Sequence, residues 1–365
     1  MTGGLAEQRR AAIRREFARR GSVRTADLAE RLGVSERTVQ RDLDWLADQL
    51  PTGRRVYGGL VSAEPGTAAP GLRIGLLLPV GDHYYEEVIA GAEAAAAALN
   101  VRLVVGTYAY REDLETAALH RLGEVRLDGL VATVDYRGHG YHQLRALGLT
   151  TVVIERPWHP DRFSSEVADS DQIDHVCSDH HAGAGIGLRH LAGLGHRSVL
   201  CLVRGTATAV PLLRGLEHGA AELGPSCPVE MHAVPVDPET LEPLPEVWQP
   251  LLADVIERCR TGAVTAIFAH ADWEAQELHR RLATAGIAVP DRVSLLAYDG
   301  VRIDPDPVLS AVTPRRRWIG AMAVETVVDR LRSRGRRSHE QRPGYQVSLV
   351  PELILRSSTA PSPCA

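Results

Sequence analysis

No run of about 18 apolar residues occurs anywhere in the 365-residue sequence, so no membrane helix is expected. The opening MTGGLAEQRR is polar and leads straight into a basic amphipathic stretch. It lacks the apolar h-region of a secretory signal, which predicts a cytoplasmic protein. Cysteine is scarce: Cys177, Cys201, Cys227, Cys259 and Cys364 are scattered, odd in number and never spaced as CxxC. Buried or idle thiols in a reducing compartment fit that pattern better than disulfides or zinc. No GxSxG elbow, P-loop or Ser-His-Asp arrangement is evident. Gly183, Gly185 and Gly187 are not spaced as GxGxxG, and no acidic residue ends a second strand about 20 residues on, so no dinucleotide cofactor is expected. His180, His181, His190 and His196 have neither a cysteine partner nor a repeated HxxxH spacing; they read as solvated or core-edge histidines rather than metal ligands.

What is present suits a globular protein of two or three domains: 44 % of residues are apolar and 24 % charged. The charge is unevenly placed. Residues 1–62 hold 12 arginines against 8 acidic residues, whereas the remainder holds 29 against 38, leaving −5 overall. A small basic head on an acidic body predicts a head that meets a polyanion and a body that does not.

The stretch SAEPGTAAPGL (62–72) is rich in Pro, Gly and Ala without periodicity and reads as a linker, with boundaries at 63–72. From Arg73, near-continuous apolar runs alternate with helical stretches. RIGLLLP (73–79), VRLVVG (101–106), DGLVAT (128–133) and TTVVI (150–154) form one series. HVCSD (175–179), SVLCLV (198–203), a strand near 229–235, TAIFA (265–269) and VSLLAY (293–298) form a second. Apolar strands separated by helices specify parallel sheets covered on both faces, so the body is an α/β protein of two doubly wound lobes. The helix near 315–333 and the strands near 345–355 follow the second series and can pack back across both lobes. The residues after 359 (360–365) are expected to be a disordered tail.

The head reads as three helices and a wing. Ile13 and Phe17 share a face of the first helix; Thr25 is expected to cap the second, with Leu28 and Leu32 inward. Gly33 suits a left-handed turn, Val34 follows as an apolar anchor, and Ser35 caps the third helix. There Val39, Leu43, Leu46 and Leu50 make one buried stripe, opposite Arg37, Gln40, Arg41, Asp44 and Asp48. Arginine and glutamine at the start of such a helix are the side chains that make paired contacts with guanine and adenine edges. RRVYGGL (54–60) forms a strand and glycine turn, with Arg54 and Arg55 as phosphate contacts.

At these residues, RGSVRTADLAERLGVSERTVQRDLDWL followed by GRRVYGGL, the head (1–62) resembles the DeoR-type winged helix-turn-helix. The resemblance implies that Ser35, Glu36, Arg37, Thr38, Gln40 and Arg41 lie in or beside a major groove, with Arg54, Arg55 and Tyr57 in the wing. The body (73–359) resembles the LacI/GalR-type sensor, which shares the type I fold of periplasmic sugar-binding proteins. Its anchors are RIGLLLP, HYYEEVIAGAEAAA, TVVIERP, SDHHAGAGIGLRHLAGLGHRSV, TAIFAHADWEAQELHRRLATAGIAVPDRVSLLAYDG and PELILRSST. Sensors of that kind normally follow a different helix-turn-helix and a hinge helix, so the present combination is unusual.

The second resemblance implies a ligand in the cleft between the lobes, met by Tyr84 and Tyr85, by Glu155, by Asp272 and by Asp299. Carboxylates accept paired hydrogen bonds from neighbouring hydroxyls, and aromatic faces cover sugar C–H surfaces. Asp272 has a second reading as the cap of its own helix. Three polar positions of the family are replaced here, by Ala271, Leu212 and Pro314, with Thr206 and Thr208 as substitute hydroxyls. Together the resemblances imply a transcription regulator rather than an enzyme. It would be a homodimeric repressor that binds a double-stranded operator and answers to a sugar or related polar metabolite. An alternative keeps the DNA-binding head but makes the sensor unable to gate it; an α/β enzyme would lack an assembled catalytic set.

Overall fold

The computed structural model of the chain describes residues 9–14, 22–49, 53–56, 59–62, 71–79, 83–134, 139–156, 173–237, 240–301, 309–333 and 343–363. The chain divides into two units, Met1–Leu72 with Asn100–Arg102, and Arg73–Leu99 with Leu103–Ala365.

In the head, residues 9–14 are helical, and β1 (Ser22–Arg24) leads into α1 (Thr25–Leu32) and α2 (Glu36–Gln49). Gly33 takes the left-handed turn at φ 63°, and Val34 N–H closes it on Ala29 O at 3.1 Å. Ser35 Oγ accepts from Thr38 N–H at 3.3 Å, a weak cap at the start of α2. Thr25 departs from expectation: it is itself the first residue of α1, and its buried hydroxyl has no hydrogen-bond partner. Strands β2 (Gly53–Val56) and β3 (Gly59–Ser62) complete an antiparallel sheet of order β1-β3-β2. Ile13, Leu28, Ala29, Val39, Leu43 and Leu46 form the core. Phe17, Leu50 and Tyr57 lie outside the described residues.

In the body, the amino lobe takes β4 (Arg73–Leu78), α3 (Tyr84–Leu99), β5 (Arg102–Thr107), α4 (Glu112–Glu124), β6 (Gly129–Ala132), α5 (His139–Ala146), β7 (Thr150–Ile154) and β8 (Asp174–Ser178). The carboxyl lobe takes α6 (His180–Gly193), β9 (Val199–Arg204), α7 (Ala209–Leu223), β10 (Val229–Val234), α8 (Pro245–Thr261), β11 (Ala266–His270), α9 (Asp272–Thr284), β12 (Ser294–Tyr298) and β13 (Ser310–Thr313). The chain then returns through α10 (Arg316–Ser333) and β14 (Gln346–Leu349) to the amino lobe and through β15 (Glu352–Ile354) to the carboxyl lobe. Both sheets have six strands, in the orders β14-β8-β7-β6-β4-β5 and β10-β9-β11-β12-β13-β15. Against the parallel pairing expected, β15 runs antiparallel on β13, and β8, grouped by sequence with the second series, pairs with β7 in the amino-lobe sheet instead.

Central strands β11 and β12 are buried along their whole length, as sheets covered on two faces require. α10 packs on α3 at very short range. An ideal Cβ on Gly91 would lie 1.9 Å from Arg317 O, and one on Gly320 would lie 1.9 Å from Val88 O. These two glycines let the helix backbones touch.

The tail differs from the disorder expected of it over its first residues. Ala360 N–H donates to Ser294 Oγ at 3.0 Å and Ser362 N–H to Leu194 O at 2.8 Å, with Ser362 buried. His196 holds this segment: buried, it lies within hydrogen-bond distance of Thr265, Ser294 and Ala360 O. His180 is buried as well, so two of the four histidines read as solvated or core-edge belong to the interior. The four described cysteines are buried free thiols, and burial pushes the Cys259 thiol up to about 12. Among the described residues no helix is long and apolar enough to cross a membrane.

Candidate DNA interface and ligand cleft

The face of α2 away from the core is polar. Glu36, Arg37, Gln40, Arg41 and Asp44 are exposed, while Val39 and Leu43 are 0 % and Leu46 is 1 % exposed. Ser35 is exposed and Thr38 half-buried, their hydroxyls 2.9 Å apart. Arg54 and Arg55 fall on β2; their side chains, like Tyr57, lie outside the described residues.

Sequence reasoning missed Asp42. It lies one position from Arg41, yet it is 2 % exposed and accepts from the guanidinium groups of both Arg9 and Arg10. The Arg10 guanidinium also sits 4.4 Å over the ring of exposed Trp45. The sequence shows an acidic residue beside the leucine stripe and an arginine pair near the start of the chain, but nothing in either that pairs them.

In the body, polar side chains gather at the carboxyl ends of the strands, where open parallel sheets receive ligands. On the amino-lobe side, Glu155 follows β7 at φ 53°. Its carboxylate accepts from Tyr84 Oη at 2.5 Å, Ser178 Oγ at 2.9 Å and Ser178 N–H at 3.1 Å. Burial alone would raise its pKa; His180 nearby and the Tyr84 and Ser178 hydrogen bonds lower it on balance. The Tyr84 phenol is raised well above its usual range by burial, then by the Glu155 and Asp299 charges. Tyr85 meets Tyr84 edge-on at 5.3 Å but is itself buried. It stands near Arg156, whose Nε donates to Val134 O and Nη1 to Glu155 O. Burial works against the Arg156 charge; Tyr85, Tyr108, Tyr110 and Tyr141 more than offset it, and its pKa is raised.

On the carboxyl-lobe side, Asp299 follows β12 at φ 91°, its Oδ2 4.0 Å from His270 Nε2. Thr206 and Thr208 follow β9 with their hydroxyls 2.9 Å apart, and Thr208 Oγ1 lies 3.3 Å from His270 Nε2. Asp272 is buried, and its Oδ2 accepts Val301 N–H at 2.8 Å across the sheet edge rather than an N–H of its own helix. Burial and then Asp299 raise its pKa well above the carboxylate range. Ala271 N–H is taken by Glu274 at 3.0 Å, and Leu212 sits in the hydrophobic core with Ala184 and Leu216.

At the cleft, His180 and Arg316 each reach groups of both lobes. His180 Nδ1 lies 2.9 Å from Tyr298 Oη, while its Nε2 is 3.8 Å from Glu155 Oε2. Arg316 donates to Asp299 O, reaches Glu87 at 3.4 Å and stands 5.2 Å over the Tyr84 ring. Beside Arg316 opens a cavity of about 480 Å³, lined among others by Glu87, Gly300, Thr313, Pro314 and Trp318. None of Tyr84, Glu155, Thr206, Thr208, Asp272 and Asp299 lines it. Among the described residues no group of three or more His, Cys, Asp and Glu is placed to hold a metal ion.

Residues 9–65 match the DeoR-like helix-turn-helix domain and residues 188–359 the periplasmic binding protein-like domain. The HTH-type transcriptional repressor PurR of Photobacterium profundum is 24 % identical over 348 residues, 91 % of this chain and 97 % of that one. The HTH-type transcriptional regulator MalR of Streptomyces coelicolor is 27 % identical over 363 residues, 94 % of this chain and 98 % of that one. A LacI family transcriptional regulator from Enterococcus faecium, solved with bound ribose, shares the fold. Its TM-score is 0.59 at 19 % identity, covering 79 % of this chain and 99 % of that one.

By these matches the chain has the two parts of a DNA-binding transcription regulator, the class that the names of these relatives give. Within it, this chain joins a DeoR-like helix-turn-helix to a two-lobed body of periplasmic-binding-protein type.

Proposed function

We propose that the chain is a cytoplasmic, ligand-responsive repressor of genes for a sugar or related carbon source, working as a homodimer on a pseudo-palindromic operator. Residues 1–62 hold DNA, 63–72 link, and 73–359 sense. The single observation that supports the DNA contact most directly is the division of α2, with leucines buried and Glu36, Arg37, Gln40 and Arg41 exposed. Arg37, Gln40 and Arg41 read base edges; Ser35, Glu36 and Thr38 seat the helix start beside the groove; Arg54, Arg55 and Tyr57 meet phosphates from the wing. Two heads multiply the few contacts one head offers.

In the cleft, Tyr84, Thr206, Thr208 and Asp299 meet the effector, while Glu155, Asp272 and Tyr85 hold the walls. The division rests on burial. Glu155, Asp272 and Tyr85 are buried, whereas Tyr84, Thr206, Thr208 and Asp299 are only half-buried. A ligand bridging the lobes favours the closed body over the open one and shifts DNA affinity by that difference. The ribose held by the Enterococcus faecium regulator supports a hydroxyl-rich effector.

The test begins with selection of an operator from random duplexes by the full chain. Fluorescence anisotropy then follows its affinity over a salt series, with and without candidate sugars. A steep salt dependence together with a ligand-dependent shift is expected. Failure to bind duplex DNA at low salt overturns the proposal; binding that no ligand alters favours a sensor uncoupled from the head.

A further inference from the structure

Three neighbouring strands of the carboxyl lobe, β9, β11 and β12, end side by side at Arg204, His270 and Tyr298. The middle one delivers a histidine that no resemblance or motif singled out. His270 is 4 % exposed, and the Tyr298 ring meets it edge-on at 5.7 Å. Its Nε2 faces Thr208 Oγ1 at 3.3 Å and Asp299 Oδ2 at 4.0 Å, while its buried Nδ1 has no hydrogen-bond partner. The next residue is Ala271, which brings no polar side chain of its own.

We infer that His270 is a specificity-determining residue of the cleft: with Thr208 and Asp299 it reads hydroxyls of an uncharged polyol, and an acid or phosphate ester of the same skeleton is rejected. The inference rests on the proposed role of the cleft as the effector site. Burial, with His180 and Arg204 nearby, lowers the His270 pKa to about 3, so the ring is neutral at physiological pH. A neutral imidazole offers one donor and one acceptor, matching a hydroxyl that both gives and takes a hydrogen bond. An anion bound at His270 would face the Asp299 carboxylate, 4.0 Å away. The nearby cations are already engaged: Arg316 by Glu87, Asp299 O and the Tyr84 ring, and Arg204 by Glu274 and Leu241 O. A buried polar group left without its partner costs more than a mismatched apolar contact, which is how such a site discriminates.

The test is calorimetric titration of the full chain with D-ribose, D-glucose, D-galactose and cellobiose, and with D-gluconate and D-ribose 5-phosphate as charged counterparts. His270→Phe is expected to weaken the tightest neutral binder by about ten- to a hundredfold, and His270→Asn to recover part of the loss. Thr208→Val, a second variant that leaves the imidazole in place, should weaken it several-fold. Across single-deoxy analogues of that sugar, the His270→Phe penalty should vanish for the one lacking the contacted hydroxyl. Tighter binding of a charged counterpart, or one uniform penalty for all deoxy analogues, overturns the assignment of His270 while leaving the cleft a ligand site. No binding by any compound in either class overturns the cleft reading and this inference with it.

Discussion

Arg10 Nε lies 2.8 Å from Asp42 Oδ1, so the helix at the start of the head is fastened to α2 through a buried carboxylate. Arg9 takes the other oxygen. Asp42→Ala would leave two arginines facing each other around a void. Because both are partly exposed, the loss should fall short of that for a fully buried pair, about 1–3 kcal/mol. Hydrogen exchange of the α2 amides in the full chain is the measurement. Faster exchange confined to the head is expected, and unchanged protection would show that the carboxylate does not fasten the helix.

Arg41 tests the proposed base contact. Arg41→Ala should weaken specific binding by about 1–3 kcal/mol and relax discrimination at one operator position. An equal loss on random duplex would make Arg41 a phosphate contact instead.

The α3–α10 contact gives a stability prediction with an internal control. Gly320→Ala drives a methyl into Val88 O, and the overpacking should cost at least about 1–3 kcal/mol. Gly33→Ala meets nothing within 4 Å and costs only its left-handed backbone, about 1–2 kcal/mol, in the head. Thermal unfolding of the two variants should therefore perturb different transitions; loss of the same transition in both would contradict the packing described.

His270 also makes a pH prediction. Its folded pKa is depressed to about 3, against roughly 6.5 for a free histidine. Between those values the unfolded chain holds the extra proton. The His270 contribution is therefore complete above about pH 6.5 and is lost progressively as the pH falls toward 3, by at most about 1.4 kcal/mol per unit. Unfolding of wild type and His270→Asn at pH 7, 6 and 5 should show a shallower decline in the variant. Parallel declines would place the proton uptake elsewhere, among other buried histidines such as His175 and His196.

The alternation of apolar runs and helices made the two doubly wound lobes readable, because a strand covered on both faces must be apolar throughout. The stripe of Val39, Leu43 and Leu46 likewise announced α2 and its exposed side. What stayed hidden depends on which partner a polar residue finds. Nothing local marks Asp42 as the seat of two arginines more than 30 positions away, or Glu155 as a carboxylate satisfied by Tyr84 and Ser178. His270 was missed for the same reason, as was the docking of the tail through His196 and Ser294. Long-range polar pairing has no periodicity to read.

The amino lobe borrows α10 and β14 from the far end of the chain, and α10 supplies a helix that packs on α3 and on strands β6, β7 and β8. During synthesis, therefore, the lobe that leaves the ribosome first cannot close until nearly the whole chain has emerged. Its sheet and the flank of α3 wait, uncovered, until residue 333 and then residue 349 have emerged. A message cut short before the codon for residue 316 would yield a chain whose DNA-holding segment is entire but whose first lobe stays open, a target for chaperones and proteases rather than a working switch.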